Sequence, residues 1–206
     1  HYYLCRQLKG GGMEINMNID DFNDNILANH WKERYANQPN DIKKKLDTFE
    51  NSDYQLQIIK RKRIYPSVGD IFQLNPRDNI YFYGIVVNTH INNINGDNLC
   101  VIMIFHNEVE IHDCVQRGIK EKDLLIPPQI VGKEYWTRGY FYNIGRFDGI
   151  MNVNNYGFYR IGKGTFVDEY GNVLNCEPEL LGCSGVVTIT GIAYQITQEL
   201  IIRKII

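Results

Sequence analysis

The first third of the chain carries apolar positions at helical spacing. Between residues 18 and 63, apolar side chains return every three to five residues, and the acidic pair Asp20 and Asp21 lies where a helix N-terminus favours negative charge. This pattern predicts an amphipathic helix, a break at NQPND and a second helix after the break. Residues 53–63 fit either a strand or a helix, and we favour a helix. The two apolar stripes consist of Phe22, Ile26, Trp31 and Tyr35, and of Ile42, Leu46 and Phe49.

From Gly69 onward the pattern changes to short runs of β-branched and aromatic residues separated by Gly, Asn, Asp and Pro. Such runs are typical of strands, and the first three are DIFQLN, IYFYGIVVNTH and NLCVIMIFHNEVEIH. The Asn-Gly pair in NINGDN predicts a tight hairpin between the second and third strands. The closing stretch AYQITQELIIRKII fits a helix or a strand. The whole pattern predicts an α+β fold in which N-terminal helices pack on a strongly bent antiparallel sheet or a small β-barrel.

The chain is organised as one domain behind an added leader. Residues 1–12, HYYLCRQLKGGG, resemble an expression tag with a glycine linker, so we take Met13 as the natural start. A chain of 206 residues is long enough for one sizeable domain and short for two. We therefore expect a single domain over residues 13–206, with a helical extension at 13–66 and a mainly β part at 67–206.

Composition narrows the possible partners and cofactors. The 22 basic and 24 acidic residues give a net charge of −2, which supplies no positive field for nucleic acid. We interpret the basic run at 60–63 as a solvated stretch before a strand. Five cysteines at irregular spacing fit a reducing compartment, and neither a membrane span nor a secretory signal is readable. We expect a cytoplasmic protein with no metal or cofactor and with neither nucleic acid nor membrane as a partner.

One polar cluster carries residue types that are used in catalysis. In HNEVEIHD, an extended strand would place His106, Glu108, Glu110 and His112 on one face. Two imidazoles and two carboxylates are able to bind a metal or share acid–base work. Four neighbours along one strand are too far apart to reach a single ion, so we interpret the cluster as the solvated face of an amphipathic strand. Ser184 in GCSGV lacks the Gly-x-Ser-x-Gly spacing of a nucleophile elbow, so we assign no catalytic residue and expect no enzymatic activity.

An aromatic segment offers contact area for a partner. The stretch EYWTRGYFYN at 134–143 concentrates Tyr, Trp and Phe around one arginine. Tyr, Trp and Arg dominate the hot spots of protein interfaces. Strand alternation would place Trp136, Arg138, Tyr140 and Tyr142 on one face. We expect Trp136 to anchor the core, and we take Arg138 and Tyr140 as candidates for partner contact.

Several of these runs resemble the immunity protein 26 family. VGDIFQLN, YFYGIVV and CVIMIF are similar to the opening strands of that family, and DLLIPPQIVGKEYWTRGYFYNIG is similar to a later stretch in which a Trp follows a strand. The similarity runs from Gly69 to Gly145 and leaves out the helical segment before it. The resemblance implies fold-determining roles for the matching positions, which are Gly69, Asp70, Tyr83, Gly84, Val86 and Trp136.

The resemblance implies a bacterial polymorphic-toxin or contact-dependent growth inhibition system. In such a system a cytosolic immunity protein binds a cognate toxin domain and neutralises it, and no enzymatic activity is implied. An acidic stretch would steer association with a basic nuclease toxin. The candidate residues for this role are Glu108, Glu110, Asp113, Glu121 and Asp123.

Two other functions remain open at this point. GDIFQL followed by GIVV is also similar to the opening of small-barrel endoribonuclease toxins, although the Arg-Pro pair of that group is absent from the sequence. A small-molecule-binding β-barrel would instead show a roomy apolar pocket lined by convergent polar groups.

Overall fold

A computed structural model describes residues 25–50, 54–153 and 155–206, which form five helices, eight strands and two 3₁₀ turns. The helices are α1 (Ile26–Ala36), α2 (Asn40–Thr48), α3 (Ile111–Arg117), α4 (Glu134–Thr137) and α5 (Ile189–Ile202). The strands are β1 (Asp70–Arg77), β2 (Ile80–Asn93), β3 (Gly96–Phe105), β4 (Leu124–Val131), β5 (Phe141–Arg146), β6 (Tyr156–Arg160), β7 (Thr165–Val167) and β8 (Leu180–Cys183). The 3₁₀ turns are Glu121–Asp123 and Ile161–Lys163.

The strands form two sheets. The main sheet has the order β4-β3-β2-β1-β5, and all of its neighbouring strands are antiparallel. The small sheet has the order β7-β6-β8, in which β6 and β8 run parallel. This arrangement confirms the α+β fold with helices on a sheet. The small barrel is not observed, because β4 and β5 are the two edges of the main sheet and do not pair with each other.

The hairpin predicted at NINGDN is confirmed. β2 and β3 pair from Tyr83 opposite Phe105 to Asn93 opposite Gly96, so the chain reverses over Ile94 and Asn95. This part of the fold was predictable because turn chemistry is local and needs no distant contact.

The main sheet separates two hydrophobic cores. Along β3, Cys100, Ile102 and Ile104 belong to the first core, whereas Val101 and Met103 belong to the second. Alternate residues of a strand point to opposite faces, so the two cores lie on opposite sides of the sheet. Helices α4 and α5 pack into the first core, and α3 and the small sheet pack into the second.

The closing segment is a helix. In α5 the hydroxyl of Thr188 accepts a hydrogen bond from the backbone N–H of Gly191 at 3.0 Å and caps the first turn. Ile192, Ile196 and Leu200 recur every four residues and are completely buried in the first core.

Two predicted elements are wrong. Residues 54–63 form neither a helix nor a strand. Their backbone N–H groups are used elsewhere, since Gln57 donates to the carbonyl of Asn75 and Ile59 donates to the carbonyl of Gly139. The strand alternation predicted for EYWTRGYFYN is also wrong, because residues 134–137 form a helical turn that buries the adjacent Tyr135 and Trp136 together. The predictions for Phe22, the acidic pair before it and the leader at 1–12 lie outside the described residues.

The strand predicted for HNEVEIHD is wrong as well. β3 ends at Phe105, and helix α3 begins six residues later. Ile111, Cys114 and Val115 are its buried side chains, and their spacing of three and four residues is helical. His106, Glu108, Glu110 and His112 therefore do not share one strand face.

Candidate partner-binding surface

The family-matching residues Asp70 and Trp136 are joined by hydrogen bonds inside the fold. The indole N–H of Trp136 donates to the side-chain oxygen of Asn143 at 2.8 Å, and the amide of Asn143 donates to the carboxylate of Asp70 at 2.8 Å. The same carboxylate accepts the backbone N–H of Ser67 at 2.8 Å. Because Trp136 is completely buried, this chain of bonds fixes β5 and α4 to the start of β1. Asn143, which links the two, was not predicted from the sequence.

The matching glycines are positions where a side chain does not fit. Gly69 has φ of +88°, and a Cβ there would lie 2.8 Å from the carbonyl oxygen of Phe147. At Gly84 a Cβ would lie 2.4 Å from the Phe72 ring and 2.7 Å from the carbonyl oxygen of Met103. These contacts give both glycines a structural role. Of the other two matching residues, Val86 is buried in the first core, and Tyr83 is half-buried against the second core.

The acidic candidates do not form a uniform set. Glu108, Glu110, Asp113 and Glu121 are exposed, whereas Asp123 is only 2% exposed. The carboxylate of Asp123 accepts the guanidinium of Arg117 at 2.7 Å and the backbone N–H of Lys120 at 2.9 Å. Burial by itself raises the pKa of Asp123, but these two hydrogen bonds outweigh it and the pKa is lowered. Asp123 thus holds the 3₁₀ turn against α3 and does not present its charge to solvent.

Arg138 and Tyr140 lie on the opposite side of the sheet from α3. Tyr140 packs against the first core, whereas α3 packs into the second. The guanidinium carbon of Arg138 lies 5.8 Å from the centre of the Tyr140 ring, and Arg138 itself is exposed. The structure therefore does not bring the acidic candidates and the Arg-Tyr pair together in one surface.

A surface groove combines apolar and charged side chains. It has a volume of about 710 Å³ and lies between α1, the start of β4, β8 and α5. The residues that line it come from four separate stretches, within 27–37, 121–128, 177–181 and 195–203. We call it the β4 groove, because the edge strand β4 forms its floor. No sequence pattern indicated it.

Buried polar contacts support the α5 wall of the β4 groove. Glu199 is only 4% exposed, and it accepts the guanidinium of Arg34 from α1 at 2.6 Å and faces Arg203 at 3.5 Å. Gln195 exchanges amide hydrogen bonds with Gln129 of β4, at 3.1 and 3.4 Å. These contacts connect α1, α5 and β4, so the groove is built from elements that are fixed to one another.

The described residues hold no group of three or more His, Cys, Asp or Glu side chains that is placed to bind a metal. None of the four cysteines in the described ranges forms a disulfide, and this includes Cys176 and Cys183. Burial raises the pKa of the Cys100 thiol to about 11, so that thiol stays protonated at neutral pH and is a poor nucleophile. No helix in the described part of the chain has the length and apolar character needed to cross a membrane.

An α+β fold with a polar-rimmed groove and exposed carboxylates is consistent with the class of proteins that act by binding a partner. Residues 67–166 match the model of a family described as immunity protein 26. The match confirms the resemblance predicted from the strand motifs, and it relates this chain to the immunity proteins of toxin–immunity systems. It covers just under half of the chain, from β1 into β7, and leaves out α1, α2, β8 and α5. No curated protein and no solved structure matches the chain significantly.

Proposed function

We propose that this protein is a cytoplasmic immunity protein that binds a cognate toxin domain and neutralises it by protein–protein contact. The observation that carries this proposal is the match of residues 67–166 to the immunity protein 26 family. The toxin belongs to a polymorphic-toxin or contact-dependent growth inhibition system. No catalytic step by this chain is needed, because a bound toxin is blocked for as long as the complex lasts.

The charges of the exposed surface support binding of a basic toxin. Glu108, Glu110 and Asp113 are exposed around the start of α3, and Glu121 is exposed in the following 3₁₀ turn. Clustered surface charge of one sign speeds the encounter with a partner of the opposite sign, although such charge is screened by salt. An immunity protein must reach its toxin before the toxin reaches its substrate, so a fast encounter has a direct use.

Where a neighbouring gene encodes a large protein with a variable C-terminal domain, that domain is the candidate toxin, and co-expression tests the pair. We expect cells that express this domain to stop growing, and we expect growth to return when this chain is expressed with it. The control is an unrelated toxin domain of the same toxic activity, which this chain should leave active. Purified chain and toxin domain should elute together in size-exclusion chromatography. If they do not associate, the proposed function is wrong.

The opposite placement of the two candidate surfaces allows one experiment to compare them. Neutralising Glu108, Glu110 and Asp113 tests the α3 side, and Arg138→Ala with Tyr140→Ala tests the first-core side. A loss of toxin binding in one set but not in the other assigns the interface to that side of the sheet. The partner-binding role of Arg138 and Tyr140 stays a prediction until this comparison is made.

A further inference from the structure

We propose that the β4 groove is the docking site for the toxin, and that it takes a segment bearing lysine or arginine. This inference rests on the proposed function, and it specifies which surface binds and what chemistry the partner presents. The rim of the groove carries the charge, the floor and wall carry the hydrogen-bonding groups, and the walls come from elements outside the family-matching segment.

The rim of the groove carries an excess of exposed carboxylates. Glu33 lies on the α1 side and Glu121 on the β4 side, and neither forms an ion pair within the described residues. Glu177 and Glu179 follow on the β8 side and are also exposed. The two arginines of the groove, by contrast, are held on the buried Glu199. Lys122 and His30, which lies 3.9 Å from Glu177, offset the carboxylates only in part. A basic segment complements this rim.

The floor and wall of the groove offer hydrogen-bond acceptors. Pro127 and Pro128 are adjacent on β4 and have no backbone N–H, so this part of the edge strand presents no donor. Gln198 is only 8% exposed and donates to the hydroxyl of Tyr194 at 3.3 Å. In the described ranges, however, its side-chain oxygen accepts no hydrogen bond. That oxygen is accessible at the groove surface, so a donor of the partner can reach it.

Lysine and arginine side chains match these acceptors best. They carry donors and no acceptor, and hydrogen bonds from a charged donor are stronger than those between neutral groups. Their aliphatic stems can also cover apolar surface. The groove provides such surface in the half-buried Trp31 and Leu181.

The walls of the groove come from outside the family-matching segment. β4 lies within residues 67–166, but α1, β8 and α5 do not. The groove therefore joins the part that this chain shares with the family to two helices and a strand that the family model does not cover. A site that must distinguish one toxin from another is expected to use elements outside the shared segment.

Two double variants, each of which removes two negative charges, test the rim. The groove variant is Glu33→Gln with Glu121→Gln, and the matched control is Asp78→Asn with Asp97→Asn, which removes two exposed carboxylates outside the groove. The readout is the dissociation constant for the cognate toxin domain, measured by isothermal titration calorimetry. We expect the groove variant to bind about fivefold more weakly and the control to bind within about twofold of wild type. Equal affinity for all three proteins would overturn the inference.

A steric variant tests the groove without changing the rim carboxylates. His30 is exposed on α1 at the groove, so His30→Trp should fold normally and narrow the entrance. We expect toxin binding to weaken by about tenfold or more, because a large ring would occupy the partner's place. Unchanged toxin binding would contradict the proposal. A variant that changes the oligomeric state of the protein and leaves toxin binding unchanged would also contradict it, because that result would assign the groove to a second copy of this chain.

These results distinguish a wrong docking site from a wrong proposed function. If wild-type protein binds the toxin and the groove variants bind it equally well, the docking site is wrong while the proposed function stands. If wild-type protein does not bind the toxin at all, the proposed function fails and the docking site fails with it. Circular dichroism and thermal unfolding of each variant check that the fold is intact.

Discussion

Gly84→Ala should destabilise the protein by roughly 2 kcal/mol, because the new methyl group would have no room in the first core. Gly84 lies in the middle of the main sheet, opposite Phe72 on β1 and Ile104 on β3. The added Cβ would lie 2.4 Å from the Phe72 ring and 2.7 Å from the carbonyl oxygen of Met103. Both neighbours would have to move.

Neither neighbour can move easily. Phe72 is completely buried, its ring stacks on Phe141 at 4.4 Å, and it meets the edge of Trp136 at 5.6 Å between ring centres. The Met103 oxygen belongs to a paired strand backbone. Extra methyl groups in packed cores cost about 1 to 3 kcal/mol. The loss of glycine flexibility in the unfolded chain offsets about 0.4 to 1 kcal/mol of that. Because the new Cβ would overlap both the Phe72 ring and the Met103 carbonyl oxygen, the cost lies at the upper end of the first range, and the balance is roughly 2 kcal/mol.

Urea unfolding followed by tryptophan fluorescence measures this difference. Gly145→Ala is the matched control, because a Cβ there would meet nothing within 4 Å. We expect the control to be neutral or more stable by up to about 1 kcal/mol. Adding Phe72→Leu to Gly84→Ala should cost less than the two single changes together, since the smaller side chain removes the closest contact. Two results would refute the packing explanation. One is a urea midpoint of Gly84→Ala equal to that of wild type, and the other is a loss of unfolding free energy in the double variant equal to the sum of the two single losses.

Three further predictions concern charge and hydrogen bonding. Neutralising Glu108, Glu110 and Asp113 together should slow toxin association by about two- to tenfold at low salt, as measured by stopped-flow fluorescence. An unchanged association rate would exclude steering by these residues. Asn143→Leu should cost about 1 to 3 kcal/mol in urea unfolding, because it leaves the buried indole N–H of Trp136 without an acceptor; a loss under 0.5 kcal/mol, on the order of an ordinary surface change, would contradict this. The lowered pKa of Asp123 means that its charged form stabilises the fold above the unfolded pKa of about 4, and that this contribution is lost as pH falls through the folded pKa. Asp123→Asn should therefore be less stable than wild type at pH 7, with the gap shrinking below about pH 4; a gap independent of pH would contradict the assignment.

The sequence predicted those parts of the fold that depend on local chemistry. The Asn-Gly turn between β2 and β3 and the strand runs after Gly69 were found because turn residues and β-branched runs act over a few positions. The burial of Trp136 was also expected, although the strand drawn through it was wrong. Tyr135 and Trp136 are buried side by side, which a strand facing one core cannot do and a helical turn can.

The wrong predictions relied on short local patterns, whereas the observed conformation depends on residues outside those segments. In HNEVEIHD the alternating charged residues suggested a strand, but the buried set Ile111, Cys114 and Val115 extends past that segment and has helical spacing. At residues 54–63 the local pattern did not decide, and backbone bonds to Asn75 and Gly139 fixed the conformation. The β4 groove could not be predicted either, since its four stretches are distant in the sequence and meet only through the tertiary fold.

The α3 acids and the β4 groove should act on different steps of binding, and salt can separate them. The α3 acids are exposed, so their attraction for a basic toxin is screened at high ionic strength and affects mainly the association rate. The acceptors of the groove include Gln198, which is nearly buried, and contacts to such groups are screened less and affect mainly dissociation. We therefore expect the effect of neutralising Glu108, Glu110 and Asp113 to vanish at 0.5 M salt, while the effect of His30→Trp persists. If both effects vanish together, the groove contributes only surface charge, and the toxin is not held there by buried contacts.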